Sequence, residues 1–280
     1  MFKAHGMMRV MRKGLHVGTS GWSYDKDWKG IFYSSGGSML NQYLTYFRTA
    51  EINSTFYALP KTNFIKHIAA LDENIFFTAK LPKKVTHDNR LDLSGEGGET
   101  LTEFFRLLEP IHDRIPVLLI QLPPWEMSTM GDLETFLSFL DSSYKYAIEF
   151  RDQSWLTQTV WNLLEDYKIA NVVVDEPKLP IDLRITADFS YIRWHGHGKN
   201  PWFNYRFSLE ELEAWVPRLE QITDSVETTF GYFNNHFAGN APLNALQMLA
   251  LLKTITTKQQ VKLDRMLKVS ATTQATLDEF

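Results

Sequence analysis

The feature that most constrains this chain is an alternation. Eight short runs rich in apolar and β-branched residues recur along it: LHVGTS from Leu15, AEINST from Ala50, IFFTAK from Ile75, PVLLIQ from Pro116, YAIEFR from Tyr146, NVVVD from Asn171, YIRWHG from Tyr191 and TTFGYFNN from Thr228. Between most of them lie stretches such as MLNQYLTYFRT, TLTEFFRLLEPI and SLEELEAWVPRLEQI, whose apolar residues fall at helical spacing. Thr62, Asp132, Ser154 and Ser208 stand where helices would be capped. Strands that alternate with helices pair in parallel, because each helix carries the chain back to the edge it started from. Eight such units in roughly 250 residues is the size of a (β/α)8 TIM-type barrel, with a doubly wound open sheet as the competing architecture. The link from Asp175 to Ser190 contains EPKLP. Its prolines oppose a regular helix, so the sixth helix is expected to be irregular or missing. The expected organisation is an N-terminal extension over 1–14, one barrel over 15–253, and a basic tail over 254–280.

A chain of 280 residues that is 44% hydrophobic has enough apolar material to fill such a barrel. Its net charge of -4 excludes a broadly basic nucleic-acid binder, while leaving room for a local basic patch. With no cysteine, disulfides, a thiolate nucleophile and cysteine-ligated zinc are all excluded. The opening MFKAHGMMRVMRKG lacks the apolar run of a signal peptide, and no stretch approaches the roughly 20 apolar residues that span a bilayer. The expectation is a soluble, cytoplasmic protein with no membrane partner.

Residues of a barrel strand alternate between the lumen and the helices. Polar residues near the ends of the runs obey that period. Glu51, Asn53 and Thr55 share one parity, as do Thr78 and Lys80, Glu149 and Arg151, and Arg193 and His195. Gln121, Asp175, Asn234 and His236 close three further runs. The opposite parity is apolar: Ile52, Phe77, Ile148, Phe150, Ile192 and Trp194. The polar set is therefore assigned to the lumen at the C-terminal ends of the strands, where barrel enzymes build their sites. Burying several charges costs free energy unless they are paired or used. The plain alternative is a structural ion network that plugs the barrel. As a site, Glu149, His195, Asp175 and Glu51 are the candidate catalytic groups. Lys80, His87, Arg151 and Arg193 suit an anionic ligand, phosphate or carboxylate.

Asn53, Gln121, Asn234 and Asn235 add hydrogen bonds. Trp22, Tyr57 and Trp155 are candidate walls, although any one such aromatic is more often core packing. Carboxylates and histidines on separate strands leave a divalent metal open, but there is no HExxH, and no metal ligand set is assigned.

The segments VGTSGWSYDKDWKGIFY, AEINSTFYALP, TAKLPKKVTHDNRL, LLIQLPP, AIEFRDQSW, VVVDEP, YIRWHG and GYFNNHFAGNAPLNALQM resemble, in order over about residues 15 to 252, the YecE-like family, a domain of unknown function (number 72). The resemblance implies a (β/α)8 barrel and no established reaction. The residues that match its signature are largely the polar set above. Asp152 departs from it, since the family implies a histidine after EFR.

The tail beyond Lys253 has a basic middle, with a short helix expected over 260–268. It ends in QATLDEF. That ending resembles the box by which archaeal and eukaryotic replication and repair proteins bind the DNA sliding clamp. Gln274, Leu277 and Phe280 hold its positions, while its second aromatic is absent. The resemblance implies a disordered tail that folds on the clamp. The leading expectation is an enzyme that acts on a phosphorylated or nucleic-acid-derived substrate and is recruited to the clamp. The alternatives are a small-molecule isomerase or hydrolase of anionic metabolites, or a non-catalytic clamp-recruited binding module. Lys83, Lys84 and Arg90 are the cations that would extend the mouth into a groove for a nucleic-acid strand.

Overall fold

All eight runs are strands. The computed structural model describes residues 14–278, with the backbone alone for residue 25 and for 271–278. The strands are β1 (Gly14–Thr19), β2 (Thr49–Ile52), β3 (Phe76–Lys80), β4 (Val117–Gln121), β5 (Lys145–Glu149), β6 (Ala170–Asp175), β7 (Phe189–Trp194) and β8 (Thr228–Phe233). They pair in parallel in the order β1-β8-β7-β6-β5-β4-β3-β2. A parallel bridge between Ser20 and Glu51 brings β1 beside β2 and nearly closes the ring. Gly18 permits that closure, because a Cβ there would lie 2.4 Å from the carbonyl oxygen of Thr49.

Strand parity divides the interior into two cores. Phe76, Val117, Leu119, Ala147, Val172, Val174, Tyr191 and Phe230 fill the lumen. Ile52, Phe77, Ile148, Phe150, Ile192 and Trp194 face outward and pack under the helices. Each strand is thus buried on both sides, as a parallel sheet requires.

Ser208 accepts from the backbone of Glu211 in a reciprocal capping box that starts helix Leu209–Ser225, and Asp132 caps Leu133–Ser138. Two expected caps fall elsewhere. Lys61 precedes helix Thr62–Ala69 without a side-chain cap, and Thr157, not Ser154, caps Gln158–Asp166. Asp152, the residue that departs from the family pattern, caps the short turn Gln153–Trp155. As the prolines implied, no helix joins β6 to β7.

The expected short helix over 260–268 is longer, running from Thr257 to Asp278. Leu263 and Met266 on it are buried in the outer core, so this part of the tail is a packed element, not a slack tether. Gln274 and Leu277 lie on its backbone, whereas Phe280 and the 1–13 extension lie outside the described residues. Among the described residues, no helix is long and apolar enough to cross a membrane.

Candidate functional site: an ion network at the barrel mouth

The lumen becomes polar toward its C-terminal end. Midway, the hydroxyls of Thr49 and Tyr232 meet at 2.7 Å, and those of Thr78 and Tyr191 at 2.8 Å. Tyr191 donates onward to Glu51 Oε2 at 2.7 Å. Burial holds the Tyr191 phenol well above its ordinary pKa, so it remains a donor.

Above this layer lies Arg193, 1% exposed. One terminal nitrogen donates to Glu149 Oε2 at 2.5 Å and the other to Glu51 Oε1 at 2.7 Å. Ser20 also donates to Glu51, and Asn53 Nδ2 donates to Ser20 Oγ at 2.5 Å. Gln121 Nε2 donates to Glu149 Oε1 at 2.8 Å, and Arg151 Nε donates to the same oxygen. Burial alone would raise the Glu149 pKa. The Arg151 and Arg193 guanidiniums overcome it and hold the carboxyl well below the usual range. Burial works against the charge of Arg193 as well, but Glu149 and Glu51 outweigh it and raise its pKa.

His195 sits beside these groups, fully buried. Asn234 Nδ2 lies 2.8 Å from its Nδ1, and Glu149 Oε1 lies 3.4 Å from its Nε2. Burial, then the charge of Arg151, pushes its pKa down to about 3, so the ring is neutral at pH 7. Glu51, Glu149, Arg193, His195, Arg151, Gln121, Asn53 and Asn234 therefore form one hydrogen-bonded assembly, contributed by separate strands.

Lys80 occupies the same rim but is held differently. It is 7% exposed, and its Nζ lies 3.6 Å from the centroid of the Phe56 ring. Nothing among the described residues hydrogen-bonds or ion-pairs its amine. Burial first, and then Arg193, pulls its pKa down to about 7. His87, on the turn Lys84–Asp88 after β3, packs edge-on against Phe56 at 4.9 Å. Burial and the nearby Lys80 lower its pKa to about 4.

Several candidates are not gathered. The lumen parity of β6 runs Ala170, Val172, Val174, and continues to Glu176, not Asp175. Asp175 faces the helices, where it accepts from Trp215 Nε1 at 2.6 Å and lies 2.5 Å from His197 Nε2. Asn235 is buried and donates to Tyr205 O, in the segment after β7, and to Asn244 Oδ1, on the helix Asn240–Leu251. Trp155 is fully buried and stacks on Phe150 at 5.5 Å. Trp22 stacks on Phe64 outside the barrel wall at 6.2 Å. Tyr57 stands at the rim, 80% exposed. Lys83 and Lys84 are tied to Asp88 and Glu96.

Sequence reading missed Glu176, which is 2% exposed and has no hydrogen-bond partner on either oxygen. Its nearest countercharge is Arg151, 3.7 Å away. Burial raises its pKa, against the pull of Arg151. Carrying the β6 alternation one residue further would have found it. Ser20 and Tyr191 were missed too, because a hydroxyl in a strand carries no sign of function. As for metals, no three His, Asp or Glu side chains among the described residues converge as a ligand set. Glu149 and Glu51 are instead occupied by guanidiniums.

A nearly closed ring of eight parallel strands, helices outside and a paired ion cluster at the C-terminal mouth, defines a TIM-barrel protein of the kind that hosts enzyme sites. Residues 16–267 match the family model described as "Protein of unknown function DUF72", and the chain belongs to that family. It is 26% identical over 270 residues to the UPF0759 protein YunF of Bacillus subtilis (strain 168), covering 85% of this chain and 94% of that one. It is 24% identical over 238 residues to the UPF0759 protein YecE of Escherichia coli (strain K12), covering 74% and 81%. Among solved structures, a DUF72 family protein (TM1631) from Thermotoga maritima superposes with a TM-score of 0.72 at 31% identity, covering 85% of this chain and 99% of that one. A DUF72 family protein (EF0366) from Enterococcus faecalis gives 0.71 at 20% identity, covering 86% and 98%, which speaks to the fold alone.

Proposed function

We propose that the mouth is the active site of an enzyme for a phosphorylated substrate, in which Arg151 holds the anionic group and the neutral amine of Lys80 moves the proton or attacks. The observation that carries this reading is Lys80 itself. A buried amine with no hydrogen bond and a pKa near 7 destabilises a fold, and such groups concentrate where chemistry uses them. Glu149, expected as an acid or base, is held charged by its arginines. Its part is to orient Arg151 and His195. Arg193 is paired with two carboxylates through its terminal nitrogens and is the keystone of the network, not a ligand group.

The test is a screen of phosphomonoesters and phosphodiesters for turnover by the full chain, beside Lys80→Met. It is paired with NMR of reductively 13C-methylated lysines. The reading expects turnover that Lys80→Met abolishes and a lysine resonance titrating near pH 7. A Lys80 resonance that titrates near 10 would overturn it.

Recruitment to a sliding clamp is the second part of the proposal. It rests on the spacing of Gln274, Leu277 and Phe280, which begin about two helical turns beyond the buried Met266. The end of helix Thr257–Asp278 would unwind to present them. Calorimetric titration of a clamp with the full chain, and with Leu277→Ala/Phe280→Ala, decides it. Absence of binding by the unmodified chain removes it.

A further inference from the structure

Two aromatic platforms lie on opposite sides of the mouth. The first is built by the segments after β2, β3 and β4. Tyr57 meets Phe56 edge-on at 5.1 Å, Phe56 meets His87 at 4.9 Å, and His87 lies 6.2 Å from Trp125. Tyr57 is 80% exposed and Trp125 37%. The second is built by the segments after β7 and β8. There Phe203 stacks on His236 at 4.9 Å and lies 5.5 Å from Phe237, with Trp202 beside it at 6.4 Å. In an eight-stranded ring β3 and β7 lie on opposite sides, so the platforms flank the ion network.

Each platform carries basic side chains. Lys80 lies on Phe56, and Arg90 lies over Trp125 at 5.1 Å. Lys178 lies over Trp202 at 4.7 Å, and Arg151 at 5.8 Å. Among the described residues Lys80, Arg90 and Lys178 have no carboxylate partner. The indole Nε1 of Trp202 is buried without a hydrogen bond. Exposed rings alone would suit a sugar, since many carbohydrate sites are aromatic. A neutral sugar, however, gives no use to the unpaired Arg90 and Lys178 or to the underpaired guanidinium of Arg151.

The geometry points to single-stranded nucleic acid as the ligand class, with bases stacked on the two platforms and a phosphodiester crossing between them over Lys80 and Arg151. This rests on the reading of the mouth as an anion site and goes further in naming what the anion belongs to. Stacking on rings is tolerant of sequence, because every base has a π face, so the binding is expected to show little base preference.

The experiment is fluorescence polarisation of 5′-fluorescein-labelled dT12 with the full chain. Arg90, Arg151 and Lys178, at about 0.7 counterions each, give a slope of roughly -2.1 in log affinity against log salt, which is about a 20-fold loss from 50 to 200 mM salt. Tyr57→Ala and Trp202→Ala are each expected to weaken binding about tenfold. Phe237→Ala, at an exposed ring of the second platform, serves if Trp202→Ala does not fold. Phe139→Ala, an exposed ring outside the mouth, is expected to change nothing.

Binding of dT12 that is indifferent to the rim variants overturns the inference, as does capture of neutral cello- or xylo-oligosaccharides in place of dT12. A thermal shift by inorganic pyrophosphate that Lys80→Met abolishes, with no dT12 binding, also overturns it, but leaves the phosphorylated-substrate reading standing. If neither pyrophosphate nor dT12 binds, both fall.

Discussion

Replacing Lys80 by methionine should stabilise this protein, and by an amount that depends on pH. In the unfolded chain the amine titrates near 10.5, and in the barrel at about 7. Between those values the unfolded state binds the extra proton, so stability rises with pH across that window. The cost of burying the amine is therefore largest at and below pH 7 and vanishes above the unfolded pKa. At about 1.36 kcal/mol per pKa unit, the shift corresponds to a penalty of about 4 kcal/mol at pH 7 and about 2 kcal/mol at pH 9. Methionine is similar in length, carries no charge and suits an irregular apolar gap, so it keeps most of the packing against Phe56.

Guanidinium unfolding of the natural chain and of Lys80→Met at the two pH values measures this directly. The variant is expected to gain about 4 kcal/mol at pH 7, with the gain falling by about 2 kcal/mol at pH 9. An equal difference at both pH values would refute the reasoning, because it would mean that the amine is solvated and titrates normally. The case for a reactive lysine would then be lost.

Arg193→Ala should cost about 3–5 kcal/mol in the same assay, since it strands Glu51 and Glu149 without their shared countercharge. Glu176→Gln should be neutral at pH 4 and stabilising at pH 8. A carboxyl with a raised folded pKa lowers stability as pH climbs through the interval between its unfolded and folded values, and thermal unfolding across pH reads that trend. Met266→Ala should cost about 2–5 kcal/mol in chemical unfolding, because the helix Thr257–Asp278 is seated in the outer core by that side chain and Leu263.

The strands, their order along the chain and, in most of them, the face each residue presents can be read from the residues alone. Period-two polarity is a local property, and a lumen that ends in water leaves its mark at every strand terminus. Glu51, Lys80, Gln121, Glu149, Arg193 and His195 were legible for that reason. At β6 the same rule was stopped one residue short. Asp175 looked like the terminal acid, but the outward side chain at that position is taken by Trp215, while Glu176 continues the lumen row.

The aromatic residues were the least legible. Trp155, Trp22 and Tyr57 look alike in sequence, yet one is core, one lies outside the barrel wall and one is open to solvent. Burial of a ring depends on which helix or loop happens to cover it. Which charges cancel is set by packing across the barrel. Arg193 meets Glu51 from 142 residues away and Glu149 from 44, so its charge pairing is set by closure of the ring and not by neighbours in the chain. The same closure left Lys80 against an aromatic face, near enough to Glu149 and Glu51 to feel their charge but ion-paired with neither. Whether a buried charge is structural or reactive is a matter of distances across the barrel, and those exist only once the last strand has met the first.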